Sequence, residues 1–219
     1  MQDPVEPSRR PLKTRQRRWA RELAARLARR GVAPDTVSIA SVLFAALAGL
    51  AFSLSVEGDG GTCVLCLLAA AAGIQLRLLC NMVDGLIAVE GGRASPAGEV
   101  YNDLPDRIAD AFVFVGAGIA LRRIPGGVTL GWLAALLAFL TAYVRVLGGS
   151  LGLQQSFAGP MAKQHRMFVM TVACVTAAVE AAVSRSPRTL YAALVLVVAG
   201  SAYTAAARTR AIVRDLRRR

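Results

Sequence analysis

Histidine is almost missing from this 219-residue chain: His165 is the only one. Cysteine is scarce as well. Of the four, Cys63 and Cys66 form a CxxC pair, but no second pair follows and the lone histidine lies far along the chain. A half-zinc or redox reading is therefore left without partners, and the cysteines read as small apolar residues within apolar runs. Acidic residues are few, 14 against 26 Lys and Arg, for a formal charge of +12. A basic nucleic-acid binder does not follow, because the positive charge sits mostly at the two ends. Only 18% of residues are charged and 55% are hydrophobic. That apolar share exceeds the roughly 45–50% of soluble domains and excludes a disordered chain. The apolar residues come in long runs, which defines an integral membrane protein. A twin-arginine export signal is not expected either. Ser8-Arg9-Arg10-Pro11-Leu12-Lys13 looks like a twin-arginine signal, but Thr14-Arg15-Gln16-Arg17-Arg18 follows where an apolar stretch is required. No inverted repeat of the transporter kind is present.

What is present organises well. Residues 1–12, with Pro4, Pro7 and Pro11, read as a disordered N-terminus. Residues 13–31 read as a basic interfacial helix. Trp19, Leu23 and Leu27 recur every four residues, alanines flank them, and arginines cover the rest. Such a helix suits an anionic membrane surface. Gly31 ends it, and Asp35 or Thr36 is expected to cap the next helix. At about 20 residues per span, spanning helices are expected near 36–55, 62–88, 104–122, 127–147, 165–184 and 187–208. A basic cytoplasmic tail, 211–219, closes the chain. The expected fold is all-α integral membrane: six transmembrane helices preceded by an N-terminal amphipathic interfacial helix. With the N-terminus inside, the inner segments carry 21 Lys and Arg and the outer loops only Arg122, Arg123, Arg185 and Arg188. That asymmetry puts both termini in the cytoplasm.

Ionisable residues within spans point to function by default. Arg77, Asn81 and Asp84 share one face of the second span by their spacing of four and three. Asn102, Asp106 and Asp110, spaced by four, share a stripe on the third. The two faces lie at the cytoplasmic end of consecutive helices, expected to be antiparallel neighbours. Oxygen ligands from facing helices suit a hard divalent cation. Arg77 can pair with Asp84 or Asp110. A purely structural polar pair is the alternative, but one arginine cannot balance three carboxylates.

Residues 81–106 resemble the signature of the CDP-alcohol phosphotransferases, D-x2-D-G-x2-A-R-x8-G-x3-D-x3-D. The spacing matches at every position. Asp84, Gly85, Ala88, Gly98 and Asp106 keep the family residue, whereas Asn81, Val89 and Asn102 replace it. The resemblance implies a membrane catalytic domain over 32–210 that transfers a phosphatidyl group from a CDP-linked lipid to an alcohol, releasing CMP. It implies Mg²⁺ or Mn²⁺, one or two ions, at Asn81, Asp84, Asn102 and Asp106, with Asp106 also the base. It implies a nucleotide pocket lined by Gly85, Ala88 and Gly98. Arg93 or Arg77 would stand in for the arginine lost at Val89. Glu90, Glu99 and Asp103 are candidates to restore the charge lost at the two asparagines.

Arg145, Lys163 and Arg166 lie on the same side and are candidates to bind an anionic, phosphorylated acceptor. The bland alternative is positive-inside anchoring, and His165 reads as an interface residue. Small-residue runs such as Ala45–Gly49 and Ala69–Gly73 suit close helix packing or the homodimer that the family often forms. The resulting expectation is a multi-pass enzyme of phospholipid synthesis in a cytoplasmic (inner) membrane of bacterial type. Its partners are the CDP-lipid, a small alcohol and membrane lipids, and not nucleic acid. The alternative is a catalytically impaired protein of the same fold that binds nucleotide-lipid or a partner. A transporter is disfavoured because the polar residues cluster on one side only.

Overall fold

The computed structural model describes residues 18–90, 97–156, 159–183 and 188–219, without the side chains of Val89, Glu90, Glu99 and Asn102. The expected disordered start, the first turns of the interfacial helix and Arg93 lie outside the described residues. The described chain is helical throughout: α1 Arg18–Arg29, α2 Pro34–Leu54, α3 Gly60–Glu90, α4 Gly98–Ala120, α5 Gly127–Ser150, α6 Lys163–Val183 and α7 Arg188–Leu216.

Helix ends follow local chemistry. Gly31, at φ +81°, closes α1. The Val32 N–H bonds the Leu27 carbonyl and the Gly31 N–H the Ala28 carbonyl, the pair of bonds a left-handed glycine permits. The start of α2 corrects the expected cap. Ala33 takes that position without a side-chain bond, and Pro34 opens the helix, where its missing N–H costs nothing. Asp35 instead sits in the first turn, where its charge favours the helix dipole. Of the polar stretch expected over 89–103, the described residues are largely helical, because α3 runs on to Glu90 and α4 already starts at Gly98. The expected tail is not separate either, since α7 continues to Leu216.

α2, α3, α5, α6 and α7 are long and apolar enough to cross a membrane, which makes this a multi-pass membrane protein. α4, 23 residues long, carries Glu99, Asp103, Asp106, Arg107 and Asp110 and is the helix whose composition falls short. The helices close a ring: α2 packs on α3 and α4, α3 on α6, α6 on α7, α7 on α5 and α5 on α4, while α1 packs on α3. Thus α3 and α4 are not close backbone neighbours, and α2 lies between them. Glycine sets the tight crossings. A Cβ on Gly116 would lie 2.5 Å from the Gly49 Cα, and one on Gly131 2.7 Å from the Gly118 Cα.

The ring is apolar on its surface, and its interior mixes large apolar side chains such as Phe52 and Phe114 with small and polar ones. Leu43, Leu47, Leu136, Phe139 and Val179 are exposed, whereas Ala45, Ala48, Ala134, Ser41, Ser201, Arg77, Asp110 and Arg166 are buried. Lipid outside makes that arrangement favourable. α1 buries Ala20 and Ala24 against Met82, Val83, Leu86 and Ile87 of α3, so it braces the turns that carry Asp84.

A charged cluster at one end of the ring

The C-terminal ends of α3, α5 and α7 and the N-terminal ends of α2, α4 and α6 gather at one end of the ring, and every site candidate in the description is there. Asp110 is its anchor. Arg77 Nη2 donates to Asp110 Oδ1 at 2.6 Å and Arg166 Nη2 to Oδ2 at 2.9 Å. Arg77 also donates to the Asp106 backbone carbonyl at 3.1 Å. Arg166 Nη1 donates to Thr141 Oγ1 and the Met161 carbonyl. Both arginines are buried, so one long side chain from α3 and one from α6 clamp α4 across the ring.

Asp106 lies one turn earlier. Asn81 Nδ2 donates to its Oδ1 at 2.6 Å, and Lys163 Nζ meets its Oδ2 at 2.5 Å. Arg77 Nη2 stands 3.7 Å from Oδ1. Asp84 is different. It is buried and accepts a hydrogen bond from Ser38 Oγ of α2 at 2.6 Å. Among the described residues no ion pair reaches it. Gly85 and Ala88 continue the same end of α3 and Gly98 opens α4, all three half-buried. Asn102 lies one turn before Asp106 on α4, its side chain outside the description.

The basic candidates do not form a second, separate pocket. Arg145 Nη2 donates to Asp103 Oδ1 at 2.6 Å, and Arg107 shares that oxygen at 2.9 Å. Both guanidinium groups thus converge on one carboxylate oxygen. Asp103, expected as a substitute ligand, is therefore spent on α5 rather than turned toward Asp84. Arg145, Lys163 and Arg166 each pair with one aspartate of α4: Asp103, Asp106 and Asp110 in turn. Arg166 is buried in this role.

Two features were missed from sequence. Ser38 sits on a buried face of α2 with Val37, Ser41 and Ala45, and only the small polar residues at helical spacing hinted at it. A cavity of about 290 Å³ lies between the ends of α5 and α7, lined by Arg145, Gln154, Gln155, Ser156, Arg208 and Asp215 among others. Arg208 Nη1 donates to the Thr141 carbonyl at 2.7 Å.

The donor chemistry fits a divalent cation in part. Asp84 is a buried carboxylate without a counter-charge, which a hard cation would satisfy. Asp106 and the Asn81 amide oxygen add oxygen donors. Among the described residues, however, no three His, Cys, Asp or Glu side chains converge as a ligand set.

The ring gathers carboxylates from α3 and α4 at one end, with a spacing of Asp84, Gly85, Ala88, Gly98 and Asp106 that resembles the signature of the CDP-alcohol phosphotransferases. No protein-family model matches the chain. It is 31% identical to the phosphatidylinositol phosphate synthase of Streptomyces avermitilis, over 68% of this chain and 59% of that one. The chain thus matches less than two thirds of that relative's length. Its fold is similar to the crystal structure of the Mycobacterium tuberculosis phosphatidylinositol phosphate synthase with CDP-diacylglycerol bound. There the TM-score is 0.73 and the identity 25%, covering 90% of this chain and 94% of that one. The same Mycobacterium enzyme with manganese and citrate shares the fold at TM-score 0.73 and 22% identity, over 88% of each chain.

Proposed function

We propose that the chain transfers a phosphatidyl group from a CDP-linked lipid such as CDP-diacylglycerol to an alcohol, releasing CMP, in phospholipid synthesis. The observation that carries this reading is the delivery of Asp84 and Asp106 to one end of a ring whose fold matches a structure holding CDP-diacylglycerol. Asp106 is the base. The acceptor oxygen bonds to the phosphorus that bears the lipid, the bond from that phosphorus to the CMP oxygen breaks, and CMP keeps the electron pair. The hydroxyl proton passes to a carboxylate oxygen of Asp106. Mg²⁺ or Mn²⁺, when bound, supplies positive charge that offsets the diphosphate and the leaving CMP. Asp84 and Asp106 would hold it, with Asn81 and Asn102 as neutral oxygen donors. Gly85, Ala88 and Gly98 leave room for the nucleotide, and Arg93 is the candidate to face it.

The acceptor is a phosphorylated polyol. The relatives are named for phosphatidylinositol phosphate, and Arg145 and Arg208 line a cavity at the same end, where guanidinium groups suit phosphate. All six helices α2 to α7 span the membrane, α4 included, because the ring does not close without it. Both termini and the site face the cytoplasm of an inner membrane, as the Lys and Arg asymmetry supports. A homodimer is part of this reading. Gln75 Nε2 donates to Thr171 Oγ1 on the outer surface of α3 and α6, beside exposed Ala69 and Ala72, a small and polar patch suited to a second chain.

The test is product identity. Protein in nanodiscs with CDP-diacylglycerol and Mn²⁺ is given inositol phosphate, glycerol phosphate, inositol or serine, and lipids are read by mass spectrometry. A phosphorylated-polyol phospholipid is expected. Bound CDP-diacylglycerol with no new lipid from any acceptor would contradict the reading.

A further inference from the structure

We propose that Lys163 is a resident cation of the site, so that the chain holds a single exchangeable divalent ion, seated against Asp84. This deepens the transferase reading and rests on it. The inner part of the cluster, leaving out Asp103 with Arg107 and Arg145, balances itself without any metal. Asp84, Asp106 and Asp110 supply three negative charges, and Arg77, Lys163 and Arg166 supply three positive ones. The distribution is uneven. Asp110 has two guanidinium groups, at 2.6 and 2.9 Å. Asp106 has the Lys163 ammonium at 2.5 Å on one oxygen and the Asn81 amide on the other. Asp84, buried with Ser38 alone among side chains bonding its carboxylate, has no ion pair among the described residues. A buried carboxylate without a counter-charge is costly, so Asp84 is the position where an added cation gains most. At Asp106 the ammonium already stands where a second cation would bind.

Placement makes Lys163 more than a surface charge. It opens α6, two residues after Met161, whose N–H donates to Thr204 Oγ1 of α7 and whose carbonyl accepts from Arg166. Those bonds fix the start of α6 and keep the ammonium over α4. A tethered charge there can offset substrate phosphate without dissociating. Two carboxylates less one ammonium leave a single net negative charge, too little to hold two divalent ions against their mutual repulsion.

The test counts Mn²⁺ bound per chain by electron paramagnetic resonance, on full-length protein in nanodiscs without substrate. Wild type is expected to bind one ion. Lys163→Gln should bind Mn²⁺ at least about tenfold more tightly, since an adjacent positive charge is gone, and Lys163→Arg should stay close to wild type. Two ions on wild type would overturn the inference and leave the transferase reading standing, and this count needs no variant to fold. Unchanged affinity in a folded Lys163→Gln would overturn it as well. No bound Mn²⁺ at any concentration would overturn both the inference and the metal-dependent reading beneath it.

Discussion

Ser38, 46 positions from Asp84 and on another helix, holds that carboxylate in place. Its hydroxyl donates to a buried carboxylate that no ion pair reaches among the described residues. Ser38→Ala should therefore cost about 1–3 kcal/mol of stability, the range for stranding a buried polar group, read as a lower unfolding midpoint in detergent. Added Mn²⁺ should restore part of that loss, because it supplies the partner that Asp84 has lost. Asp106→Asn keeps the shape but removes the base and the carboxylate that pairs with Lys163. CMP release should fall roughly a hundred- to ten-thousand-fold, and the unfolding midpoint should drop as well. A residual rate near wild type would assign the proton to another group.

Among the elements, α4 carries most of the argument. Its acidic residues were read from sequence as one site and the basic residues of α5 and α6 as another. The ring merges them, because side chains as long as arginine and lysine reach from one helix to another across its end. That merging is a property of topology. Nothing in the spacing of Arg145, Lys163 and Arg166 says that each will meet a different aspartate of α4. The expected adjacency of α3 and α4 failed for the same reason, since α2 lies between them and only Arg77 and Asn81 bridge the gap. Asp110→Asn should accordingly strand two buried guanidinium groups and cost about 3–5 kcal/mol, measured by thermal unfolding in detergent. Packing of the elements has its own test. Gly116→Val would drive a side chain into the Gly49 backbone, and as neither backbone can yield without separating α2 from α4, folded yield should drop sharply, while the same change at exposed Gly61 should be tolerated.

For the whole molecule, composition and run length already specified a membrane protein, and charge asymmetry supplied an expectation of which end faces inward. The number of spans was harder to confirm, because the helix that carries the charges is the one least apolar. Orientation is directly measurable. A fluorescent protein that matures only in the cytoplasm should glow when fused after Arg219, and a periplasm-dependent phosphatase should be active only when inserted near Arg122 or Arg185. The opposite pattern would turn the charged cluster outward, away from cytoplasmic nucleotide-lipid. The central claim concerns chemistry, and CMP release from CDP-diacylglycerol by the nanodisc protein, with a phosphorylated polyol present, tests it most directly. The account predicts release that requires Mg²⁺ or Mn²⁺, depends on the acceptor and is lost in Asp106→Asn. Folded wild-type protein that binds CDP-diacylglycerol and the divalent ion, yet releases no CMP with any acceptor, would contradict it.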